Sequence, residues 1–208
     1  MATVQVLPRG VHLAQGFLDR TKQEALRDSL RDAAARAPFY TPVMPRTGKP
    51  FSVRMTNCGP LGWVSDKAGY RYQPNHPVTG KPWPAIPEML MTAWETLSQY
   101  PHPPQACLIN YYAGNARMGL HRDEDEDDFN APVVSLSLGN SCVFRIAQGE
   151  GRAPTVSLKL HSGDALVFGG PARRAYHGVD RILPDTSTLL KSGGRINITL
   201  RRVTFPEP

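Results

Sequence analysis

His121-Arg122-Asp123 is a spacing that a metal ion can use. In an extended segment, residues two apart point to the same side, so His121 and Asp123 can reach one ion together. His177, in A-Y-H-G-V, falls on a later predicted strand and could complete a face of two imidazoles and one carboxylate. Such a face leaves adjacent positions open on an octahedral ion, the arrangement of non-haem Fe(II) oxygenases, with room for a bidentate 2-oxoacid and for O₂. Taken alone, H-x-D beside an acidic run reads as a solvated surface turn. The strand context of His177 brings the two readings level.

The segment Arg195-Ile196-Asn197-Ile198-Thr199-Leu200-Arg201 alternates strictly, with Arg195, Asn197, Thr199 and Arg201 on one face and the three aliphatic residues on the other. One reading is a half-buried strand whose polar face meets solvent. The other is a cationic wall inside a barrel mouth, where a guanidinium fork pairs the distal carboxylate of a dicarboxylate. Asn110-Tyr111-Tyr112, at the end of another predicted strand, supplies an amide and phenols that could finish such a pocket.

The acidic run Asp123–Asp128 invites rival readings. An EF-hand loop starting at Asp123 needs Gly at its sixth position and Glu at its twelfth, and the chain has Asp128 and Val134 there. A Mg²⁺ nuclease built on these carboxylates stays open, but it leaves His177 and the paired arginines without a role. Gly169-Gly170 and Gly193-Gly194 lack the G-K-[S/T] of a phosphate-binding loop and read as turns.

Several elements must position these residues. Thr21 and Glu24 form a T-x-x-E capping box ahead of Leu26, Leu30, Ala33 and Ala37, and Pro38 stops that helix. A second helix starts at Pro87, shows Leu90, Ala93, Trp94 and Leu97 on one face, and is closed by Pro101. Both stripes read as core contacts. Between them, residues 38–87 are rich in Pro, Gly and aromatics, which predicts short strands and loops covering a site. After Gln105, strands are predicted at Ala106–Tyr112, Val133–Leu138, Cys142–Ile146, Thr155–Leu160, Ala165–Phe168, Ala175–Val179 and Arg195–Val203. Their punctuation by G-N-S, S-G-D, G-G-P and S-G-G signals a double-sheet barrel such as a jelly roll.

The 208 residues suit one domain, and 40% apolar against 20% charged residues permits a packed core. Twenty prolines and 18 glycines argue against a helical bundle. The net charge of +6 hides an asymmetry: outside the acidic run, 24 basic residues face 12 acidic ones, a balance that suits a polyanion such as nucleic acid. No apolar leader or membrane-spanning run is present. Cys58, Cys107 and Cys142 have no metal-binding or disulfide spacing, so a reduced cytoplasm is expected. No heptad pattern appears, and a monomer is expected.

Taken in order, M-T-N-C-G-P-L-G-W (55–63), G-Y-R-Y (69–72), K-P-W-P (81–84), C-L-I-N-Y-Y (107–112), H-R-D-E-D-E (121–126), V-S-L-S-L-G (134–139), Y-H-G (176–178) and R-I-N-I-T-L-R (195–201) form a series. Through it the chain resembles the AlkB family of Fe(II)- and 2-oxoglutarate-dependent nucleic-acid dealkylases over most of its length.

The resemblance implies an α+β, mainly β fold: a double-stranded β-helix with flanking helices and an N-terminal nucleotide-recognition lid. It places the lid at about 38–86 and the catalytic core at about 105–204 of a single domain, 1–208. It implies Fe(II) at His121, Asp123 and His177, with 2-oxoglutarate held by Asn110, Tyr112, Arg195, Asn197 and Arg201 and O₂ as the other cosubstrate. Trp63, Tyr70 and Tyr72 fall where the family grips the damaged nucleotide, and Asp125 where a carboxylate meets the base.

The implied activity is oxidative demethylation of 1-methyladenine and 3-methylcytosine in DNA, single-stranded or with the base flipped out. The alternatives are the same chemistry on RNA and a catalytically idle nucleic-acid-binding module. Phe168 stands where Trp is expected in the family's bacterial founding member, and Glu124 replaces a basic residue beside the metal motif. Arg152, in the loop 149–154, is one residue out of register with a substrate-contacting arginine. Candidates for phosphate contact are Arg54, Lys67, Arg71, Arg152, Arg173 and Arg174; Glu124, Glu126, Asp127 and Asp128 read as a solvated turn.

Overall fold

The computed structural model describes residues 3–149 and 153–206, so Arg152 lies outside the described residues. Strands β1 (Thr3–Val6) and β2 (His12–Gln15) precede helix α1 (Arg20–Arg36). Strands β3 (Arg54–Cys58), β4 (Gly62–Asp66) and β5 (Gly69–Gln73) lead to helix α2 (Glu88–Ser98). The rest is β: β6 (Ala106–Tyr112), β7 (Met118–His121), β8 (Val133–Gly139), β9 (Cys142–Ala147), β10 (Thr155–Leu160), β11 (Ala165–Phe168), β12 (His177–Ile182) and β13 (Arg195–Arg201).

These strands form a large antiparallel sheet, ordered β1-β2-β11-β8-β13-β6-β3, and a smaller one, β10-β9-β12-β7, with the hairpin β4-β5 apart. This is the expected mainly-β jelly roll with flanking helices. Alternation along β13 explains the layering. Ile196, Ile198 and Leu200 join Ile109, Leu136 and Leu138 on the outer face of the large sheet, where Leu26 and Leu30 of α1 and Leu90 and Trp94 of α2 cover them. Each such fully buried side chain contributes about 1.5–3 kcal/mol. The inner face meets the small sheet through Leu108, Val133, Leu166 and Phe168 against Phe144, Ile146 and Val179. The polar residues of β13 therefore look into the molecule, and the strand has no solvated face.

The structure corrects some boundaries. Helix α1 begins before the T-x-x-E box: Asp19 is its N-cap, its side chain accepting from the Lys22 backbone N–H at 2.9 Å. Glu24 is instead the partner of Arg20 at 2.6 Å. The strand expected at Ala175–Val179 runs over His177–Ile182, and the last strand stops at Arg201. Strands β1, β2 and β7 are additions, each of four residues and too short to show a period in the sequence. The three cysteines are buried and free.

Candidate active site

Strand pairing delivers the metal-ligating candidates. β7 and β12 are antiparallel with His121 opposite His177, and their ring centroids lie 4.5 Å apart. Asp123 follows two residues after His121 on the extended exit from β7. Gly178 lets the strands approach: a Cβ there would sit 2.7 Å from the Met118 carbonyl oxygen. His121, Asp123 and His177 can each offer one ligand atom, all within 4.8 Å of one another.

The two rings are held ready to ligate. His121 Nδ1 lies 2.9 Å from the Gly119 carbonyl and His177 Nδ1 2.9 Å from the Ala175 carbonyl. A carbonyl only accepts, so Nδ1 carries the proton in each ring and the Nε2 lone pairs are left for a metal. Both Nε2 atoms face Asp123, at 3.9 and 4.0 Å. Burial disfavours the imidazolium of His177, with help from His121, and pushes its pKa down to about 4.

Asp123 is buried, which pushes its carboxyl up, but Arg201, His177 and His121 outweigh that and hold it well below the usual carboxylate range. It is an anion at neutral pH, with Arg201 Nη2 donating to Oδ1 at 2.8 Å. The donor set, two neutral imidazoles and one carboxylate with an open side, fits a six-coordinate first-row metal such as Fe(II).

These residues border a cavity of about 270 Å³. Of the residues singled out in the sequence, Trp63, Tyr70, Asn110, Tyr112, Asp125, Asn197 and Arg201 line it with the three metal-ligating candidates. Strand register makes the neighbours: Asn197 pairs with Asn110, and Arg195 with Tyr112. Phe144 and Phe168 stand 5.9 and 4.9 Å from the His177 ring and form an apolar wall. Burial keeps the Tyr112 phenol protonated by raising its pKa.

Arg195 and Tyr72 are placed differently. Arg195 is fully buried and does not line the cavity; it donates to Asn140 O at 3.3 Å and Ser137 Oγ at 2.6 Å, and its Nε has no partner. Among the described residues, no ion pair includes this guanidinium. A buried cation without a counter-ion is costly, and a dicarboxylate would relieve that cost. Arg201 Nε likewise lacks a hydrogen bond, although Glu126 Oε1 lies 3.5 Å away. The Tyr72 hydroxyl points inward, donating to Glu126 and accepting from Arg201 Nη1 at 3.2 Å.

The side of the cavity formed by the hairpin β4-β5 is aromatic. Trp63 and Tyr70 stack with centroids 5.5 Å apart, and Tyr70 is half exposed. Trp63 Nε1 donates to Asp125 Oδ2 at 2.7 Å. Buried Asn57 fixes the Trp63 backbone from both sides, accepting from its N–H and donating to its carbonyl, each at 3.1 Å.

The acidic run is not one solvated turn. Glu124 and Asp127 are exposed, but Glu126 and Asp128 are buried. Asp128 accepts from the Tyr100 hydroxyl at 2.6 Å. Glu126 joins Arg173 at 2.9 Å and lies beside Tyr72 and Arg201. Arg173 is thereby excluded as a phosphate contact: it is buried and spends its donors on Ala131 O, Asp123 O and Glu126. Nothing local in D-E-D-E-D-D marks which members turn inward, so Glu126 had no signal in the sequence. Ser135 and Ser137, which meet Asn197 and Arg195, had one in the alternation of V-S-L-S-L-G.

Residues 10–201 match the 2OG-Fe(II) oxygenase superfamily. The chain is 50% identical over 193 residues to an alpha-ketoglutarate-dependent dioxygenase AlkB homolog of Caulobacter vibrioides, covering 93% of this chain and 87% of that one. It is 41% identical over 177 residues to the alpha-ketoglutarate-dependent dioxygenase AlkB of Escherichia coli K12, covering 83% and 81%. Shorter matches, each over about half of the chain, include a DNA N(6)-methyladenine demethylase of Arabidopsis thaliana and a tRNA demethylase of Schizosaccharomyces pombe. The solved structure of OsALKBH1 superposes with a TM-score of 0.79 at 30% identity, covering 96% of this chain and all of that one.

Proposed function

The chain belongs to the 2OG-Fe(II) oxygenase superfamily and within it to the AlkB dioxygenases, and from that premise we propose that it demethylates 1-methyladenine and 3-methylcytosine in DNA. It is an Fe(II)- and 2-oxoglutarate-dependent dioxygenase. The observation that carries the substrate reading is the stacked Trp63–Tyr70 pair facing the His-Asp-His cluster across one cavity.

His121, Asp123 and His177 would hold the iron, and Asn110, Tyr112, Arg195, Asn197 and Arg201 the 2-oxoglutarate. The chemistry supplied with iron bound is oxidation of an N-methyl carbon by O₂, coupled to decarboxylation of 2-oxoglutarate to succinate, with formaldehyde leaving the hydroxylated product. The chain's own task is orientation. Carbonyls of Gly119 and Ala175 fix the imidazoles, Arg201 fixes the carboxylate of Asp123, and the phenylalanines beside His177 keep the site dry.

1-Methyladenine and 3-methylcytosine are cations near neutral pH. An aromatic face at Trp63 or Tyr70 attracts such a base by about 0.5–2 kcal/mol, and the Asp125 carboxylate beside Trp63 adds a countercharge. Inside a duplex the base cannot reach this cavity, so a single-stranded or flipped-out base is the substrate form, and damage that spoils pairing lowers the cost.

Residues 38–86 act as the recognition lid and 105–204 as the catalytic core of one domain, and the working protein is a monomer. A cytoplasmic location belongs to the same reading; free buried cysteines suit a reducing compartment, and no helix among the described residues is long and apolar enough to cross a membrane.

The test is mass spectrometry of matched DNA and RNA oligonucleotides, each carrying one 1-methyladenine or 3-methylcytosine, incubated with the iron-loaded protein, 2-oxoglutarate and O₂. Faster methyl loss from DNA supports the proposal. Faster loss from RNA moves the substrate to RNA, and loss from neither removes both.

A further inference from the structure

A second cleft, of about 360 Å³, lies beside the metal cavity where the one-turn segments Pro8–Gly10 and Gly170–Ala172 meet. Its polar lining is almost entirely arginine: Arg9, Arg122, Arg173 and Arg174, with the rings of Phe129 and Tyr176. Arg122 lines both spaces. Because His121 and Asp123 turn toward the metal site, the residue between them turns to the other side.

The guanidinium groups are oriented before any ligand arrives. Arg122 lies over the Tyr176 ring at 4.8 Å and Arg174 over the Phe129 ring at 5.4 Å. Arg9, in a left-handed backbone conformation at φ 64°, reaches across to Gly149 O at 2.8 Å and Pro171 O at 2.9 Å, and among the described residues no carboxylate pairs with it. Glu124 alone bridges Arg122 and Arg174, at 2.6 and 2.9 Å, and Glu126 neutralises Arg173 from beneath. Counting the described residues, the cleft keeps an excess of positive charge, and among them Arg122 Nε is buried without a partner.

We infer that this cleft holds the phosphodiester backbone of the strand whose base enters the metal cavity. A phosphate takes two parallel N–H donors from a guanidinium fork in the geometry that a carboxylate uses. Glu124 therefore occupies the phosphate's place in the free protein and competes with it. Continuity with the metal cavity through Arg122 favours a strand over a free anion. The inference rests on the nucleic-acid reading above, and it gives the basic excess of the sequence a location.

The test uses holoprotein with Fe(II) and 2-oxoglutarate without O₂, and fluorescence anisotropy on a single-stranded oligodeoxynucleotide of about 15 nucleotides carrying one 1-methyladenine, titrated with salt. Arg174→Ala weakens binding and lowers the slope of log affinity against log salt by about 0.7, and adding Arg122→Gln lowers it by about as much again. Glu124→Gln strengthens binding. Unchanged slopes in variants with unchanged melting curves overturn the inference. So does Glu124→Gln weakening binding as the arginine variants do, because that is the mark of a structural ion pair. If the slopes change as stated while the wild type demethylates nothing, the dealkylase reading fails and the cleft stands; demethylation with flat slopes gives the reverse.

Discussion

Two walls enclose the metal cavity, and they are held in different ways. The floor belongs to β13, hydrogen-bonded along its length to β6 on one side and β8 on the other, with helices packed behind it. The lid wall is the hairpin β4-β5, which pairs with no further strand. An isolated two-stranded ribbon is marginal in water, so the hairpin needs further ties: Val64 buried against Ala37 and Trp83, the Val43 N–H donating to the Ser65 carbonyl, and the side-chain bonds of Trp63 to Asp125, Asn57 to the Trp63 backbone and Tyr72 to Glu126. The difference suits the tasks that the proposed function gives the two walls. A metal and a dicarboxylate need fixed partners, and a damaged base on a flexible strand needs a wall that can adjust. Glu126 is the hinge of the comparison, since it joins the lid through Tyr72 to the floor through Arg201 and Arg173.

Removing the carboxylate function from the floor has the largest expected effect. Asp123→Asn, which keeps the shape beside Arg201, reduces turnover by more than the roughly 10–100-fold typical of a residue behind a metal ligand, while oligonucleotide affinity is retained. Rates and anisotropy on the same preparation check this. Loss of both properties would mean that floor and lid are not separable.

Cutting the hinge comes next. Glu126→Gln leaves Arg173 without its buried counter-ion and Arg201 with Asp123 alone, and costs about 3–5 kcal/mol in denaturant unfolding. A cost near zero would mean that the lid is held by its backbone alone.

Acid sharpens the picture of the floor. His177 has its pKa lowered from its ordinary value to about 4, so the unfolded chain takes up a proton that the folded one refuses as pH falls from about 6.5 to 4. The metal-free protein therefore loses stability across that window, by at most about 3 kcal/mol from this residue, and His177→Asn removes that share. Unfolding curves at the two ends of the window read the difference.

The smallest effect is on the lid. Trp63→Ala removes the stack on Tyr70, worth about 0.5–1.5 kcal/mol, and weakens methylated oligonucleotides by up to about tenfold. The KM for 2-oxoglutarate stays unchanged in steady-state kinetics; a rise there would show that Trp63 supports the floor.

The floor was also the legible part of the sequence. Strict alternation in 195–201 and 134–138 appears because each segment is apolar toward the helices and polar toward the cavity, and the register then sets Asn110 opposite Asn197. The lid was not legible in its order, because Pro, Gly and aromatics break any period, although its aromatic residues stood out. Most obscure was the acidic run. Which carboxylates turn inward depends on Arg173 and Arg201, far along the chain and brought in by tertiary packing.

On the proposed function, the site oxidises a methyl group only with 2-oxoglutarate in place. The direct measurement is methyl loss from a 1-methyladenine oligonucleotide and succinate formation in one reaction with Fe(II) and O₂, with and without 2-oxoglutarate. Both products are expected to form together and only with 2-oxoglutarate. Methyl loss without it, or with no matching succinate, would contradict the account.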